Sequence, residues 1–492
     1  MRPPNLLFLF TDEQRADTLA AYGNTRIQMP NLNRLASQST VFQRAYVTQP
    51  VCTPSRSSLL TGLYPHTSGL TENNVPLPDD VPCLPEMLCA SKGSACGYAC
   101  AYHGKWHLGD EIFPQHGFPE FRSIEDGYAR YYSAGRDPET RSTYHQWLVE
   151  QRVVGASDPP LSRGAACRLP ERYSKPAYLA GEASRFIQEH QDEPFCLFVN
   201  FLEPHMPFFG PRDDQHALDE VLLPPNFDDL PGPEQPLKAR LFQRAYELAG
   251  HSGLPLRTEA DWRRMIANYW GLCSLVDTHV GTILETLAAC GLDEHTIVVY
   301  SSDHGDMMGS HRLLAKCVQY EEALRVPLLV RLPGQTRGQT VAAPVSQIDL
   351  LPTLLDYMGQ PLPAHLEGES LRPLIEGRTD AAPRDVFVEW SGHNNGFGDV
   401  IGRVVPPPGA LEVATEDEIS AAVTDPVRTV VTADGWKLNV SARGEHELYH
   451  LAEDPYERRN LAGEAAARKR FDELAGRIRA WQARTGDEVE LG

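Results

Sequence analysis

The sequence predicts an α/β protein with a mostly parallel central sheet flanked by helices, followed by a smaller C-terminal α+β domain containing an antiparallel sheet. Short runs of almost purely apolar residues, typical of strands buried on both faces, alternate with segments that have helical periodicity. We interpret five such runs as strands: Asn5–Phe10, Ala99–His103, Phe195–Phe201, Thr296–Ser301 and Pro327–Arg331. Strands that alternate with helices in this way predict parallel pairing.

Three segments between these strands predict helices. They are Leu32–Ser39 after Pro30-Asn31, the stretch from Pro54 to Gly62, and the periodic segment from Ile266 to Leu287 that ends at Gly291. Proline suits the first turn of a helix, and glycine commonly ends one, so the flanking residues agree with the periodicity. The helices would cover both faces of the sheet.

A second region begins near residue 384. Asp385–Trp390 and Val427–Val440 have the character of strands, with a turn at 433–435, and the segment from Phe471 to Trp481 forms a terminal amphipathic helix. Short strands followed by a helix favour a small α+β unit. We therefore divide the chain into a larger α/β domain, residues 1–383, expected to carry the chemistry, and a smaller α+β domain, residues 384–492.

The composition is that of a globular protein with an acidic surface. Lys and Arg total 45 against 66 Asp and Glu, a formal net charge of −21 over 492 residues. This charge opposes binding to nucleic acid or anionic membranes, and an anionic substrate would need a local cluster of cations. No apolar run approaches the ~20 residues of a membrane span. The N-terminal apolar run is too short for a signal peptide, so the sequence predicts a cytoplasmic protein.

Polar residues follow four of the predicted strands. The strand ends run into Asp12-Glu13, Lys105-Trp106-His107, Glu203-Pro204-His205 and Asp303-His304. Ligands of parallel sheets bind at the carboxyl ends of the strands. One polar loop would mean little, but four strand ends that supply carboxylates, imidazoles and a lysine together predict a site.

The most informative stretch is the eleven-residue segment from Cys52 to Gly62. Cys52 would lie at the positive end of the predicted helix, with Arg56 one turn further on and facing the same way. This geometry favours an anion beside the Cys52 side chain. A buried cysteine before an ordinary helix is the alternative, and the complete string Cys-Thr-Pro-Ser-Arg through Leu-Thr-Gly argues against it.

This string resembles the signature of the type I, formylglycine-dependent sulfatases of the alkaline phosphatase superfamily. In that family the cysteine of Cys-x-Pro-x-Arg is oxidised to Cα-formylglycine. Further resemblances extend over nearly the whole chain, at Pro30–Ala36, Gly104–Gly109, Ser302–Gly305 and the closing pattern from Glu447 to Leu461. The resemblance implies an alkaline-phosphatase-like fold and metal-dependent hydrolysis of sulfate monoesters.

The resemblance also implies a metal site formed by Asp12, Glu13, Asp303 and His304 together with the modified Cys52. Hard oxygen donors from two strand ends suit Ca²⁺, which is the ion that we most expect at this site. Two residues depart from the usual pattern: position 13 is Glu where many members have Asp, and position 304 is His where many have Asn. An imidazole ligand shifts the preference toward Mn²⁺, and Mg²⁺ also fits the oxygen donors.

The family pattern assigns roles to the remaining site residues. The hydrated aldehyde formed from Cys52 would attack sulfur, with Arg56 holding the hydrate and His107 taking the proton that releases sulfate. Lys105, His205 and Lys316 would bind the sulfate oxygens, and His205 or Lys316 would protonate the departing alcohol. Asn73 resembles a substrate-contacting Asn of the phosphonate monoester hydrolase branch. Segments 122–172 and 208–262 are expected to form the rim of the site.

Two alternatives remain open from the sequence. A hydrolase of phosphonate monoesters or phosphodiesters would use the same groups, and the Asp303-His304 pair is found in that branch. An inactive homologue that only binds anions would lack a catalytic group, whereas all of them are present here. The expected partners are a small anionic sulfate ester and a formylglycine-generating enzyme, and analogy suggests a homo-oligomer.

Overall fold

The structure is a computed structural model that describes residues 2–90, 97–378, 384–392, 399–400 and 403–492. The strands are β1 (Asn5–Asp12), β2 (Thr40–Tyr46), β3 (Ala99–Gly104), β4 (Glu120–Arg122), β5 (Phe195–Pro204), β6 (Thr296–Ser302), β7 (Arg325–Val326), β8 (Leu328–Arg331), β9 (Gln339–Ser346), β10 (Val386–Trp390), β11 (Asp399–Val400), β12 (Arg403–Val404), β13 (Val427–Val431), β14 (Trp436–Ser441) and β15 (Glu447–His450).

The α-helices lie between and after these strands. They are α1 (Pro30–Ala36), α2 (Cys52–Thr61), α3 (Pro65–Ser68), α4 (Leu84–Ala90), α5 (Thr143–Glu150), α6 (Arg163–Ala166), α7 (Lys175–Glu189), α8 (Leu237–Ala249), α9 (Glu259–Ala289), α10 (Glu321–Leu324), α11 (Leu350–Tyr357), α12 (Arg372–Ile375), α13 (Glu416–Val423) and α14 (Arg468–Thr485). Among the described residues, none of these helices is long and apolar enough to cross a membrane.

Within the part of the chain that the structure describes, the larger sheet has nine strands in the order β4-β3-β5-β1-β6-β8-β2-β7, with β9 also paired to β2. The strands from β4 to β6 are all parallel, whereas β8 runs antiparallel to both β6 and β2. The mostly parallel sheet predicted from the sequence is confirmed. The parallel half brings the carboxyl ends of β3, β5, β1 and β6 side by side.

Both faces of this sheet are buried, as the apolar runs predict. Along β1, Leu7 and Leu9 belong to the core that includes α1, α7 and α9, while Leu6, Phe8 and Phe10 belong to the opposite core with α2, α4 and α11. Successive side chains of a strand point to opposite faces, so a strand covered on both sides must be apolar throughout. The sheet is therefore a rigid platform for the residues at its edge.

A separate four-stranded antiparallel sheet has the order β10-β13-β14-β15, and α14 packs against it. Buried Leu474, Ile478 and Trp481 of α14 share a core with Val430 and Leu438 of this sheet. The predicted antiparallel sheet and terminal helix are confirmed. The division of the chain at residue 384 stays a prediction.

A buried ionic cluster joins α3 to the second sheet. His66 Nδ1 lies 3.1 Å from Glu389 Oε2, and Arg428 pairs with Asp487 through its Nε atom at 2.7 Å. Arg428 Nη2 also lies 3.6 Å from Glu389 Oε2. Burial lowers the pKa of His66, but the hydrogen bond and charge of Glu389 outweigh it and raise the pKa above its ordinary value.

This cluster predicts a pH-dependent contribution to stability. Because the pKa of His66 is higher in the folded state than in the unfolded state, protonation of His66 stabilises the fold. This stabilisation is fully present below the unfolded-state pKa of about 6.5 and is lost as the pH rises through the folded-state pKa. We expect the difference in Tm between the parent and His66→Gln to shrink as pH rises from about 5.5 to 9. The matched control is His295→Gln at an exposed position. A difference that grows with pH contradicts the prediction.

Candidate active site

The four predicted strand ends meet at one edge of the sheet, because β3, β5, β1 and β6 are neighbours and parallel. Gly104, the last residue of β3, has φ +119°, and a Cβ atom there would lie 1.9 Å from the backbone oxygen of Asn200. Only glycine allows this close approach. It lets the chain turn directly from the sheet into Lys105 and His107.

Helix α2 supplies the residues of the cysteine signature. It begins at Cys52, and its C-cap Gly62 has φ 69°, a left-handed conformation that glycine adopts without strain. All ten helical residues are buried. Cys52 therefore lies at the positive end of the helix, as predicted, at the bottom of the site. Burial, followed by the charge of Asp12, raises the pKa of its thiol to about 11.

Arg56 connects two strand ends from beneath. Its Nε donates to Asp303 Oδ2 at 3.0 Å, its Nη2 to Asp12 Oδ2 at 3.0 Å, and its Nη1 to the backbone oxygen of Lys105 at 2.9 Å. Lys105 Nζ also contacts Asp12 Oδ2. Burial raises the pKa of Asp12, but the cations beside it, Lys105 foremost, outweigh this and hold the pKa well below its usual range.

Asp12, Cys52, Asp303 and His304 converge as a potential cation site, with their ligand atoms within 4.8 Å of one another. His304 Nδ1 donates to the backbone oxygen of Gly305 at 2.8 Å, which leaves Nε2 as the acceptor or ligand atom of the ring. That Nε2 lies 3.6 Å from Asp303 Oδ1, 3.9 Å from Asp12 Oδ1 and 3.4 Å from Cys52 Sγ. These donors fit a divalent cation.

Glu13 strengthens this fit. Neither of its buried carboxyl oxygens accepts a hydrogen bond from a described residue, although Lys316 Nζ forms an ion pair with Oε2 at 3.1 Å. Burial raises the pKa of Glu13 to about 8 against the opposing charge of Lys316. Its backbone is in the left-handed region at φ 70°, a costly conformation for a residue with a side chain. A buried carboxylate whose oxygens accept no hydrogen bonds is a suitable cation ligand.

A cavity of about 230 Å³ opens above Cys52. It is lined by Cys52, Asn73, Asn74, Lys105, His107, Gly127, Tyr128, Arg130, Tyr131, Arg163, His205 and Lys316. The structure thus brings the sequence-predicted residues together, with the carboxylates and His304 beneath the cavity and the lysines and other histidines around it. Asn73 has a second contact, since its Oδ1 accepts the backbone N–H of Thr53 at 3.0 Å.

His107 is neutral at physiological pH. Burial and the nearby cations Lys105 and Arg56 hold the pKa of His107 well below its ordinary value. Its Nε2 lies 3.1 Å from Asn74 Oδ1, and its Nδ1 makes no hydrogen bond with a described residue. With Nε2–H donating to the amide oxygen, Nδ1 carries a free lone pair. The ring can therefore accept a proton.

Lys316 and His205 form a pair on the other side of the cavity. His205 Nδ1 donates to the backbone oxygen of Met206 at 2.8 Å, and its Nε2 accepts from Lys316 Nζ at 3.1 Å. Burial and the charge of Lys316 hold the pKa of His205 well below its usual range. Burial lowers the pKa of Lys316, but the neighbouring groups Cys52, Glu13 and Asp12 outweigh it and hold the pKa well above its usual value. Lys316 is consequently the cationic member of the pair.

The rim was only partly anticipated from the sequence. Segment 122–172 lines the cavity through Tyr128, Arg130, Tyr131 and Arg163, whereas no described residue of segment 208–262 lines it. Arg163 is the main addition. Its Nη2 donates to the Tyr128 hydroxyl at 2.7 Å, and its Nε donates to Glu125 Oε2 at 2.7 Å. Nothing in the local sequence marks this arginine, because its orientation depends on these distant partners.

A sheet-edge site with a buried cysteine, a cation-binding group and a basic cavity defines a hydrolase of anionic esters. The sulfatase family model matches residues 4–360, and the chain belongs to this family. It is a sulfuric ester hydrolase of the alkaline phosphatase superfamily.

Similar proteins agree with this assignment. An ulvan-active sulfatase of Formosa agariphila is 28% identical over 99% of this chain and 82% of its own length. An arylsulfatase of Clostridium perfringens is 28% identical over 96% of this chain and 92% of its own. The phosphonate monoester hydrolase SpPMH from Silicibacter pomeroyi shares the fold, with a TM-score of 0.77 and 23% identity over 99% of this chain and 96% of that one.

Proposed function

We propose that the chain hydrolyses sulfate monoesters to an alcohol and sulfate, using a formylglycine made from Cys52 and one divalent cation. The observation that carries this proposal is the position of Cys52. It lies at the start of α2, at the bottom of a cavity whose walls include Lys105, His107, His205 and Lys316. These four side chains are the ones that sulfate-ester hydrolysis needs around a tetrahedral anion.

The cation would be held by Asp12, Glu13, Asp303 and His304 beside the modified residue. Such an ion neutralises negative charge on a sulfate oxygen and so stabilises the transition state. Three carboxylates favour Ca²⁺, while the free Nε2 of His304 also suits Mn²⁺. Arg56 binds two of the carboxylates from below and holds them in position.

Formylglycine would supply the nucleophile through its hydrate. The unmodified side chain is poorly suited to attack an anion, because burial raises the pKa of the Cys52 thiol to about 11 and keeps it neutral. Neutral His107, with its free Nδ1 lone pair, would take the proton that regenerates the aldehyde. This assignment also requires a formylglycine-generating enzyme during maturation.

The other cations would bind the substrate and assist the leaving group. Lys105 and Lys316 are positioned for the sulfate oxygens, and Lys316 carries a proton that could pass to the departing oxygen directly or through His205, its hydrogen-bonded neighbour at 3.1 Å. Around the entrance, Arg163 and Arg130 add positive charge, and Tyr128 and Tyr131 add flat apolar surface. This rim suits a small anionic ester with an aryl or sugar group.

Phosphonate monoesters or phosphodiesters are a second candidate substrate class. His304 and Asn73 favour it, because both resemble residues of the phosphonate monoester hydrolase branch. Sulfuryl and phosphoryl centres share a tetrahedral shape and similar charge placement, so the same residues serve both. Intact Pro54 and Ser55 in the cysteine signature favour the sulfatase.

Comparing kcat/KM on an aryl sulfate and on the matching aryl phosphonate monoester tests the proposal. The protein should be made in a host with the maturation machinery, and intact mass should show a loss of about 18 Da at Cys52 on conversion to the aldehyde. We expect the higher kcat/KM with the sulfate. A preference for the phosphonate selects the second candidate, and aldehyde without turnover of either ester indicates an anion-binding homologue.

A further inference from the structure

A second group of potential metal ligands lies outside the active site, where α4 begins. Cys83, Glu86 and His116 place a thiol, a carboxylate and an imidazole within 4.8 Å of one another. His116 Nδ1 lies 3.7 Å from Glu86 Oε2. Cys83 is fully buried, whereas the Glu86 side chain is 33% exposed and opens the group to solvent on one side.

The Nδ1 atom of His116 is buried and makes no hydrogen bond with a described residue. The His116 side chain is only 3% exposed, and Nδ1 is the atom that faces Glu86. The ring is held in this orientation by stacking on Trp106, with centroids 5.9 Å apart. Leaving a buried polar atom unsatisfied destabilises the fold, and a ligand at Nδ1 would offset this cost.

The backbone brings His116 unusually close to α4. His116 has φ 47° and Gly117 has φ 78°, both in the left-handed region. A Cβ atom at Gly117 would lie 2.9 Å from both Glu86 Cγ and Pro85 Cβ. The loop therefore adopts two consecutive left-handed residues in order to pack the imidazole against the start of the helix, a costly arrangement for His116.

We propose that Cys83, Glu86 and His116 bind one zinc ion, with water as a fourth ligand. Thiolate, imidazole and carboxylate are the ligand types that Zn²⁺ prefers, and tetrahedral bonds of about 2.0–2.3 Å separate ligand atoms by roughly 3.3–3.8 Å. The 3.7 Å between His116 Nδ1 and Glu86 Oε2 lies within a few tenths of an ångström of the roughly 3.3–3.5 Å expected for a nitrogen–oxygen pair. Binding forms the Zn–S bond as the thiol proton of Cys83 passes to solvent.

The ion would connect α4 to the loop that carries two active-site residues. His116 stacks on Trp106, which lies between Lys105 and His107. The carboxylate of Glu111 in the same loop accepts the backbone N–H groups of Trp106 and His107 at 3.0 and 2.6 Å. Zinc would thus act as a structural clamp on this loop and would be separate from the proposed catalytic cation.

Cobalt spectroscopy on the full chain tests this site. In Cys52→Ala protein treated with a chelator, the cation-binding group of the active site has no thiol, so a thiolate-to-cobalt charge-transfer band after addition of Co²⁺ reports another cysteine. We expect this band in Cys52→Ala and its displacement by added Zn²⁺. In the same background, Cys83→Ser should abolish the band and His116→Gln should weaken Co²⁺ affinity at least about tenfold. Cys167→Ser, at a half-buried cysteine elsewhere, should leave the band unchanged.

Two results would overturn the proposal. The first is the absence of a thiolate–cobalt band in folded Cys52→Ala protein. This result can be obtained without any further variant. The second is a band that survives Cys83→Ser. Should Cys83→Ser fail to fold, His116→Gln decides, because unchanged Co²⁺ affinity in that variant contradicts the site.

Discussion

Replacing Cys52 by alanine is expected to lower kcat/KM for an aryl sulfate by at least about 10³-fold, because the nucleophile is removed while the cations of the cavity remain. The substitution deletes one sulfur atom from a side chain that is 1% exposed, so the fold should survive. Steady-state kinetics of protein produced with the maturation machinery provide the measurement.

The matched control is Cys167→Ala, a half-buried cysteine at the end of α6. It should keep the rate of the parent within about twofold, as expected for a residue away from functional contacts. The mass loss of oxidation should be seen in the parent and in the control but not in Cys52→Ala. Equal turnover by Cys52→Ala and the parent is incompatible with the proposed function.

Asp303→Asn is expected to damage both metal binding and stability. Asp303 Oδ2 accepts from Arg56 Nε at 3.0 Å, and Oδ1 accepts the backbone N–H of Glu13 at 3.0 Å. An asparagine must direct its NH₂ group at one of these two donors. We expect kcat/KM to fall at least about 10²-fold, and the free energy of unfolding to fall by about 3 kcal/mol, since Arg56 is left partly unpaired in the interior.

Asp349→Asn is the control that separates the loss of metal binding from the loss of stability. Asp349 is an equally buried carboxylate, 2% exposed, and it accepts the backbone N–H groups of Ser346 and Glu369. Its variant should lose stability in urea unfolding yet keep the kcat and bound metal of the parent. If Asp303→Asn behaves in the same way, with full metal content and rate, Asp303 does not belong to the proposed cation site.

The parallel half of the fold and the location of the site could be predicted because both depend on local patterns. Strands buried on two faces must be apolar throughout, and the polar residues after them collect at one edge once the strands are parallel. The helix after Cys52 was predictable for a similar reason, since Pro54 and Gly62 mark its ends. These features need no knowledge of distant contacts.

Strands β2 and β9, on the other side of the sheet, could not be predicted in this way. Strand β2 has Gln43 and Arg44 in its middle, and both are only partly buried. Strand β9 contains Pro344 and begins with exposed residues. Neither segment has the sequence pattern of a strand, and each becomes one because it forms hydrogen bonds with the other. Tertiary contacts therefore decide their conformation.

Side-chain networks within the site were also beyond local patterns. Arg163 is oriented by Glu125 and Tyr128, which precede it by 38 and 35 residues. His116 similarly meets Cys83 and Glu86 only because the loop folds back onto α4. In each case the chemistry depends on contacts between segments whose sequences carry no shared signal.

Because α2 is buried, the proposed oxidation of Cys52 must occur before the chain folds. Every residue from Cys52 to Thr61 is buried in the folded protein. A maturation enzyme that recognises Cys-Thr-Pro-Ser-Arg, however, must bind that segment while it is accessible. Conversion would therefore have to be completed before this part of the chain folds. A molecule that folds with its thiol intact would stay inert, and supplying the modifying enzyme afterwards would not rescue it.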